Sequence, residues 1–165
     1  MRQRQKGFTL IELLVVLAIT GVIITPLTWA TITLLTSPQR TAAHSIVLQQ
    51  VQNAGHWISR DVQMARSVNA TGTNGFPLVL TIPVDDNPDN DYSVEYIFDG
   101  DSLKREEYDS AHTLVAEMLI AQYIVSDNTT FSSLPSGSYR LSIRAAKGVA
   151  AVTINYEVKP RLSSG

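Results

Sequence analysis

The 165-residue chain contains no cysteine, and this absence excludes three classes of chemistry. It rules out a disulfide framework, a thiolate zinc site and a cysteine nucleophile. Charge is also sparse, because only 17% of the residues are charged and 13 basic residues nearly balance 15 acidic ones. Without a broad cationic surface to meet phosphates, nucleic acid is not an expected partner.

Sequence patterns typical of enzymes are missing as well. The chain's histidines lack the short spacing of metal ligands; they are His44, His56 and His112. Neither an H-E-x-x-H helix nor a G-x-S-x-G nucleophile turn occurs. We therefore predict that the chain is not an enzyme and that it binds no cofactor.

One acidic stretch follows the opening pattern of a calcium-binding loop. Alternate positions offer the oxygen ligands that calcium prefers, and these are Asp85, Asn87, Asp89 and Asp91. However, Asn90 stands where such a loop needs glycine, and Tyr96 stands where it needs a bidentate glutamate. The pattern leaves calcium binding open but favours a solvated acidic turn, so we assign no metal ligands.

Apolar sequence is abundant near the start of the chain. The run from Phe8 to Leu35 carries a single charged residue, Glu12. As a helix it would measure roughly 42 Å, whereas the hydrocarbon layer of a membrane is about 30 Å thick. Basic residues precede the run, at Arg2, Arg4 and Lys6. The positive-inside rule keeps such residues in the cytoplasm, so we expect a single-pass protein of the cytoplasmic membrane whose head is extracytoplasmic.

The start of this run contains a recognisable motif. From Lys6 to Val16 the sequence reads Lys-Gly-Phe-Thr-Leu-Ile-Glu-Leu-Leu-Val-Val. It resembles the amino-terminal motif of type IV pilins and of the pseudopilins of type II secretion. The resemblance implies that a prepilin peptidase cuts between Gly7 and Phe8 and methylates the new amino group of Phe8. It also implies that Glu12 serves assembly, with other pilin or pseudopilin subunits and an inner-membrane assembly platform as partners.

Physical chemistry agrees with this resemblance at Glu12. A lone carboxylate in hydrocarbon costs about 2.5 to 3.5 kcal/mol on insertion scales, so an intramembrane acid usually has a partner. The apolar run contains no cation. Cleavage after Gly7 would create one, because the freed amine of Phe8 is positively charged. Glu12 could pair with the amine of its own chain or with that of a neighbouring subunit, and the sequence leaves both open.

Pro26 lies within the predicted transmembrane helix. Proline removes a backbone hydrogen bond and invites a kink, and Gly21 adds a second weak point. The pilin resemblance implies a helix breaker in this region that lets the segment lengthen in a filament. Membrane helices also tolerate proline without any special role. We predict a helix kink at Pro26.

The segment after the apolar run has helical periodicity. Ser37 and Pro38 have the character of a cap and a first helical residue, so they predict a renewed helix start. Apolar residues then recur every three or four positions and form one stripe suited to packing on a sheet; these residues are Val47, Val51, Ala54, Ile58, Val62 and Ala65.

The remainder of the chain has the alternating pattern of strands. We expect antiparallel strands, joined by short turns, at Phe76–Ile82, Tyr92–Phe98, Leu103–Tyr108, Tyr139–Arg144 and Val149–Val158. The segment from Leu114 to Tyr123 is ambiguous between helix and strand, and residues 69–74 have the composition of a loop. The predicted class is α+β, a long amino-terminal helix packed on a small, mainly antiparallel sheet.

These patterns divide the chain into four parts. We expect a cytoplasmic leader over 1–7 that processing removes, a transmembrane helix over 8–36, an amphipathic helix over 37–67 and a β-sheet head over 68–165. Residues 49–65 and the hairpin from Tyr96 to Arg105 also resemble minor pilins and J-type minor pseudopilins, which implies a minor filament subunit. The alternative is a membrane-anchored extracytoplasmic binding domain that is not assembled into a filament.

Overall fold

The structure is a computed structural model that describes residues 9–161, apart from the side chains of Thr25, Leu27 and residues 33–40. Two compact units divide the chain, Met1–Thr41 and Ala42–Gly165. The described part combines one long helix with antiparallel sheets, which confirms the α+β class. Its helix and strands are α1 Leu10–Met64, β1 Ser67–Ala70, β2 Leu78–Ile82, β3 Tyr92–Asp99, β4 Ser102–Tyr108, β5 Leu114–Ala121, β6 Thr130–Ser133, β7 Tyr139–Lys147 and β8 Ala150–Val158.

The helix α1 differs from the prediction at two points. It passes through Ser37 and Pro38 without interruption, so the renewed helix start is absent. Adding residues to an existing helix avoids the cost of a new nucleus, whereas a renewed start at Ser37 would require one. The helix also ends earlier than predicted, at Met64. There the backbone N–H of Arg66 donates to the carbonyl of Thr81 at 2.8 Å, which draws the chain into the sheet.

The strands form two sheets where one was predicted. The first sheet has the order β1-β2-β3-β4-β5, and the second has the order β6-β7-β8. Tyr123, which follows β5, has a left-handed backbone with φ of 62°. Its carbonyl accepts from Ala146 N at 2.8 Å, and Ile124 pairs with Ala145 of β7. The chain therefore passes from the first sheet to the second at Tyr123.

The hairpins predicted from turn residues are confirmed. Gly100 has φ of 63° between β3 and β4, and Gly148 has φ of 60° between β7 and β8. The ambiguous segment after Leu114 is the strand β5. By contrast, β1 and β6 were not predicted, because both are short and mostly polar. The strand β2 begins at Leu78 and not at the expected Phe76; Pro77 has no N–H to contribute to the ladder.

The apolar stripe of α1 forms the centre of the core. All six predicted stripe residues are completely buried, as are residues from both sheets that join them in one cluster. Full burial of such side chains stabilises the fold by about 1.5 to 3 kcal/mol each for the larger ones. The helix thus holds the two sheets together through this cluster. The first sheet contributes Leu78, Leu80 and Val94, and the second contributes Leu141 and Ile143.

A buried ion pair joins α1 to the first sheet. Asp61 is only 1% exposed, and its Oδ2 accepts hydrogen bonds from Tyr96 Oη and Arg105 Nε, both at 2.7 Å. The Nη1 of Arg105 also donates to Glu107 Oε2 at 3.0 Å. Burial and the negative charge of Asp61 hold the pKa of Tyr96 far above its ordinary value, so its hydroxyl remains a donor. This network fixes the helix against β3 and β4.

Replacing Arg105 tests the network. We expect Arg105→Met to lower the free energy of unfolding by about 3 to 5 kcal/mol, because it leaves the buried Asp61 carboxylate without its cation. Urea unfolding of the full chain in detergent micelles, followed by tryptophan fluorescence, measures the change. Lys104→Met is the matched control on the same strand, since Lys104 pairs with Asp99 and Glu117 at the surface. Equal unfolding midpoints for the two variants would contradict the role of the buried pair.

Candidate assembly site at the amino terminus

The first part of α1 has the properties of a membrane anchor. Residues Leu10–Ile32 have a mean hydropathy of 2.5 over 23 residues, and none of the side chains described in this segment is buried. At about 1.5 Å per residue it spans roughly 34 Å, enough to cross the hydrocarbon layer. Within it Glu12 is the sole ionisable residue. The segment fits a single-pass, membrane-anchored protein.

Glu12 lies in the first turn of α1, next to Thr9. The carbonyl of Thr9 accepts from the N–H groups of Glu12 and Leu13 at 3.1 and 3.2 Å, so Thr9 occupies the N-cap position. The hydroxyl Oγ1 of Thr9 also donates a long hydrogen bond, 3.5 Å, to Glu12 Oε2. The positive end of the helix dipole also favours a carboxylate here. The Thr-Leu-Ile-Glu order matches a capping box, a signal that the sequence reasoning missed.

The roles predicted for the other residues of this site stay predictions. Gly7 and Phe8 lie outside the described residues, so their cleavage and methylation stay predictions. Pro26 lies inside α1 with an exposed side chain, and the kink expected there also stays a prediction. Shortly after it, Thr28 Oγ1 donates to the carbonyl of Ile24 at 2.9 Å. Such back-bonding gives the hydroxyl a partner inside an apolar segment.

The acidic stretch of the head forms a closed turn. Both carboxylate oxygens of Asp85 are engaged, by Asn87 N and by Asn90 Nδ2, each at 2.8 Å. The hydrogen bond from Asn90 is the main cause that lowers the pKa of Asp85. Asp91 is turned toward Arg66, with Oδ2 at 3.3 Å from Nε. Over residues 9–161 no group of three or more acidic, histidine or cysteine residues is arranged to hold a metal ion.

The head also carries an open groove between α1 and β8 that the sequence reasoning missed. Its volume is about 680 Å³, and its polar lining includes His56, Ser59 and Arg60. The ring of Tyr156 forms part of its wall and lies against Gly55, where a Cβ atom would come within 2.2 Å of Tyr156 Cζ. Glycine is therefore required at position 55 for the ring to occupy this place.

Replacing Thr9 tests the cap at Glu12. Thr9→Val keeps the shape of the side chain but removes the hydroxyl that contacts Glu12. A lost side-chain hydrogen bond costs about 1 kcal/mol, so we expect the amides of the first turn to exchange with solvent about fivefold faster. Hydrogen exchange of the full chain in micelles, measured by NMR, gives the rates. In the control Thr20→Val, the lost hydroxyl donates to Val16 O inside the helix, and the first turn should be unaffected.

Comparison with known proteins finds one similarity, at the amino terminus. Residues 2–28 match the family model described as the prokaryotic N-terminal methylation motif. No curated protein and no solved structure matches the chain. The matched residues include Gly7, Phe8, Glu12 and Pro26, whereas the head lies outside the match. The match over residues 2–28 supports the resemblance of the amino terminus to type IV pilins and pseudopilins, and the α+β fold agrees with a pilin-like architecture.

Proposed function

We propose that the chain is a minor subunit of a type IV pilus-like filament or of a type II secretion pseudopilus. In this proposal a prepilin peptidase cuts after Gly7 and methylates Phe8, and the head is displayed outside the cytoplasm. The protein is structural and not an enzyme: it acts by packing with other subunits after extraction from the bilayer by the assembly platform. The observation that carries the proposal is Glu12, a lone carboxylate at the start of an exposed apolar helix.

The exposure of the helix supports assembly. In the described part of Leu10–Ile32 many apolar side chains are exposed; Leu10, for example, is 82% exposed and Val22 is 75% exposed. Such a surface is stable only when lipid or another helix covers it. Lipid covers it before assembly, and the helices of neighbouring subunits cover it within a filament.

The position of Glu12 supports a pairing with the processed amine. Glu12 is four residues after Phe8, a separation of one turn or about 6 Å if the helix extends to Phe8 in the processed chain. Its carboxylate is held only by the long contact to Thr9 among the described residues, so a stronger, charge-assisted partner can displace that contact. If the amine belongs to a neighbour, the pair also sets the axial register between helices, which is the best-attested use of a buried ion pair.

Mass spectrometry of the membrane-extracted protein tests the processing. We expect a chain that begins at Phe8 and carries one extra methyl group. Gly7→Leu should retain the complete amino terminus, because the bulky side chain blocks the peptidase. An intact Met1 in the unaltered protein would support a plain anchor, and a start near Thr31 would indicate a cleaved signal peptide. Either result would contradict the proposal.

Glu12→Ala tests the pairing. We expect this variant to be processed normally and to remain in the membrane, because the peptidase site is unchanged and the helix becomes more apolar. Its recovery in the sheared filament fraction should fall strongly, since the amine of Phe8 loses its partner. Glu12→Gln keeps the shape without the charge and should fail in the same way, whereas Thr20→Ala in the same helix should assemble. Normal incorporation of both Glu12 variants would contradict the amine-pair account.

A second candidate is a membrane-anchored binding domain outside any filament, and the groove beside Tyr156 favours it. This groove combines hydrogen-bonding groups with an aromatic wall, a combination found in ligand sites. The two candidates differ in what the groove contributes. His56→Trp would fill part of the groove with an exposed side chain and leave Gly55 and Tyr156 unchanged. It should leave filament incorporation intact if the chain is a filament subunit, and should abolish function if the groove is the working site.

A further inference from the structure

The strand β5 ends the first sheet and exposes apolar side chains on both of its faces. Leu114, Val115, Met118 and Leu119 are 48%, 63%, 43% and 50% exposed, respectively. Natural proteins usually protect an edge strand with charge, proline or a covering segment, because an exposed apolar edge pairs readily with another strand. The exposure of β5 is therefore unusual for a strand at the edge of a sheet.

The helix covers only the last part of this edge. Asn53 Nδ2 donates to the carbonyl of Ile120 at 2.6 Å, and Gln122 N donates to Gln50 Oε1 at 2.8 Å. Through these two side chains α1 satisfies the backbone where β5 ends. No other described segment pairs with the far side of residues 114–119, which have β4 as their one neighbouring strand. Their outer edge is open to a further strand.

A row of carboxylates reaches this edge across the outer face of the sheet. The register places Glu95 opposite Glu106 and Glu106 opposite Glu117, on three successive strands. Neighbouring strands are only about 4.8 Å apart, and like charges directly opposite each other destabilise a sheet by up to about 1 kcal/mol per pair. A row of this kind is costly to the isolated head, and it ends at the open strand.

The charge of this row is only partly balanced. Lys104 contacts Glu117 at 3.1 Å and Asp99 at 2.9 Å, and no other described lysine or arginine forms an ion pair on this face of β3–β5. The hydroxyl of Tyr108 donates to Glu106 at 2.5 Å. This hydrogen bond, with added repulsion from the three glutamates, raises the pKa of Tyr108 to about 12. The outer face therefore carries an excess of negative charge beside the open edge.

We propose that β5 is a docking edge for an extended strand of a partner protein that places a lysine or arginine opposite Glu117. An added strand continues each cross-strand row by one position. A cation at the end of the glutamate row turns a repulsive series into an attractive pair, whereas an acid would extend the repulsion. Aliphatic residues two positions away on the same face of the partner strand would cover Leu119. Main-chain hydrogen bonds supply the affinity, as in other cases of strand addition.

Peptide binding to the full chain in detergent micelles tests this proposal, and it does not depend on the filament function. The probe is a fluorescent seven-residue peptide with the sequence Thr-Leu-Thr-Lys-Thr-Leu-Thr. We expect the unaltered protein to bind it at least about threefold more tightly than the same peptide with glutamate in place of lysine. Glu117→Lys should reverse this preference. A fully N-methylated lysine peptide, which cannot donate to a ladder, should not bind.

Two further variants separate a docking edge from a general apolar surface. Leu119→Asp should abolish binding of the lysine peptide, whereas Val149→Asp should not, because Val149 is 85% exposed in the turn between β7 and β8. Circular dichroism confirms that both variants are folded. Equal affinity for the two peptides, an unchanged preference in Glu117→Lys, or binding of the N-methylated peptide would overturn the proposal and indicate a surface that rests on lipid or detergent. Absence of any binding to the unaltered protein would overturn it as well.

Discussion

Burial of one helical stripe is the interaction on which the head depends. The chain passes from one sheet to the other at Tyr123, and both sheets contribute residues to the single core that surrounds Val51, Ala54 and Ile58 of α1. Apolar contact supplies energy but no direction, so it does not by itself fix the helix along the sheet. The short bonds from Tyr96 and Arg105 to Asp61 add that direction. Energy and specificity thus come from neighbouring positions of the same helix.

The parts of the fold that sequence reasoning predicted are those with a local signal. The stripe from Val47 to Ala65 follows from helical period alone, and the two hairpins follow from glycine turns. The short strands β1 and β6 were missed because each has only four residues, mostly polar, and so carries no apolar alternation. The Asp61–Arg105 pair was missed because 44 residues separate its members, so no local pattern joins them. The glutamate row depends on register, and a shift of one residue would move it to the other face.

At the candidate site, too, the features with a local sequence signal were predicted and the others were not. The methylation motif is a contiguous pattern, so Gly7, Phe8 and Glu12 could be named from sequence, and the matching family model covers them. The hydrogen bond between Thr9 and Glu12 adds a local role for the carboxylate before any partner arrives. In contrast, the head presents its carboxylates in two ways: Asp61 is buried with its cation, whereas Glu95, Glu106 and Glu117 form an exposed row. The buried pair stabilises the fold, whereas the exposed glutamate row leaves negative charge available to a binding partner.

The bonds to Asp61 have a mechanical consequence. In the proposed filament the subunit would be loaded along its helix, and a slip of one helical turn would shift α1 by about 5.4 Å against the strands. Such a slip would carry the carboxylate of Asp61 out of reach of Tyr96 and Arg105, whose bonds are 2.7 Å long. The energy that opposes sliding of the helix along the sheet therefore rises abruptly and not gradually. The strands of the head should move together with residues 42–64 of the helix until that ion pair breaks.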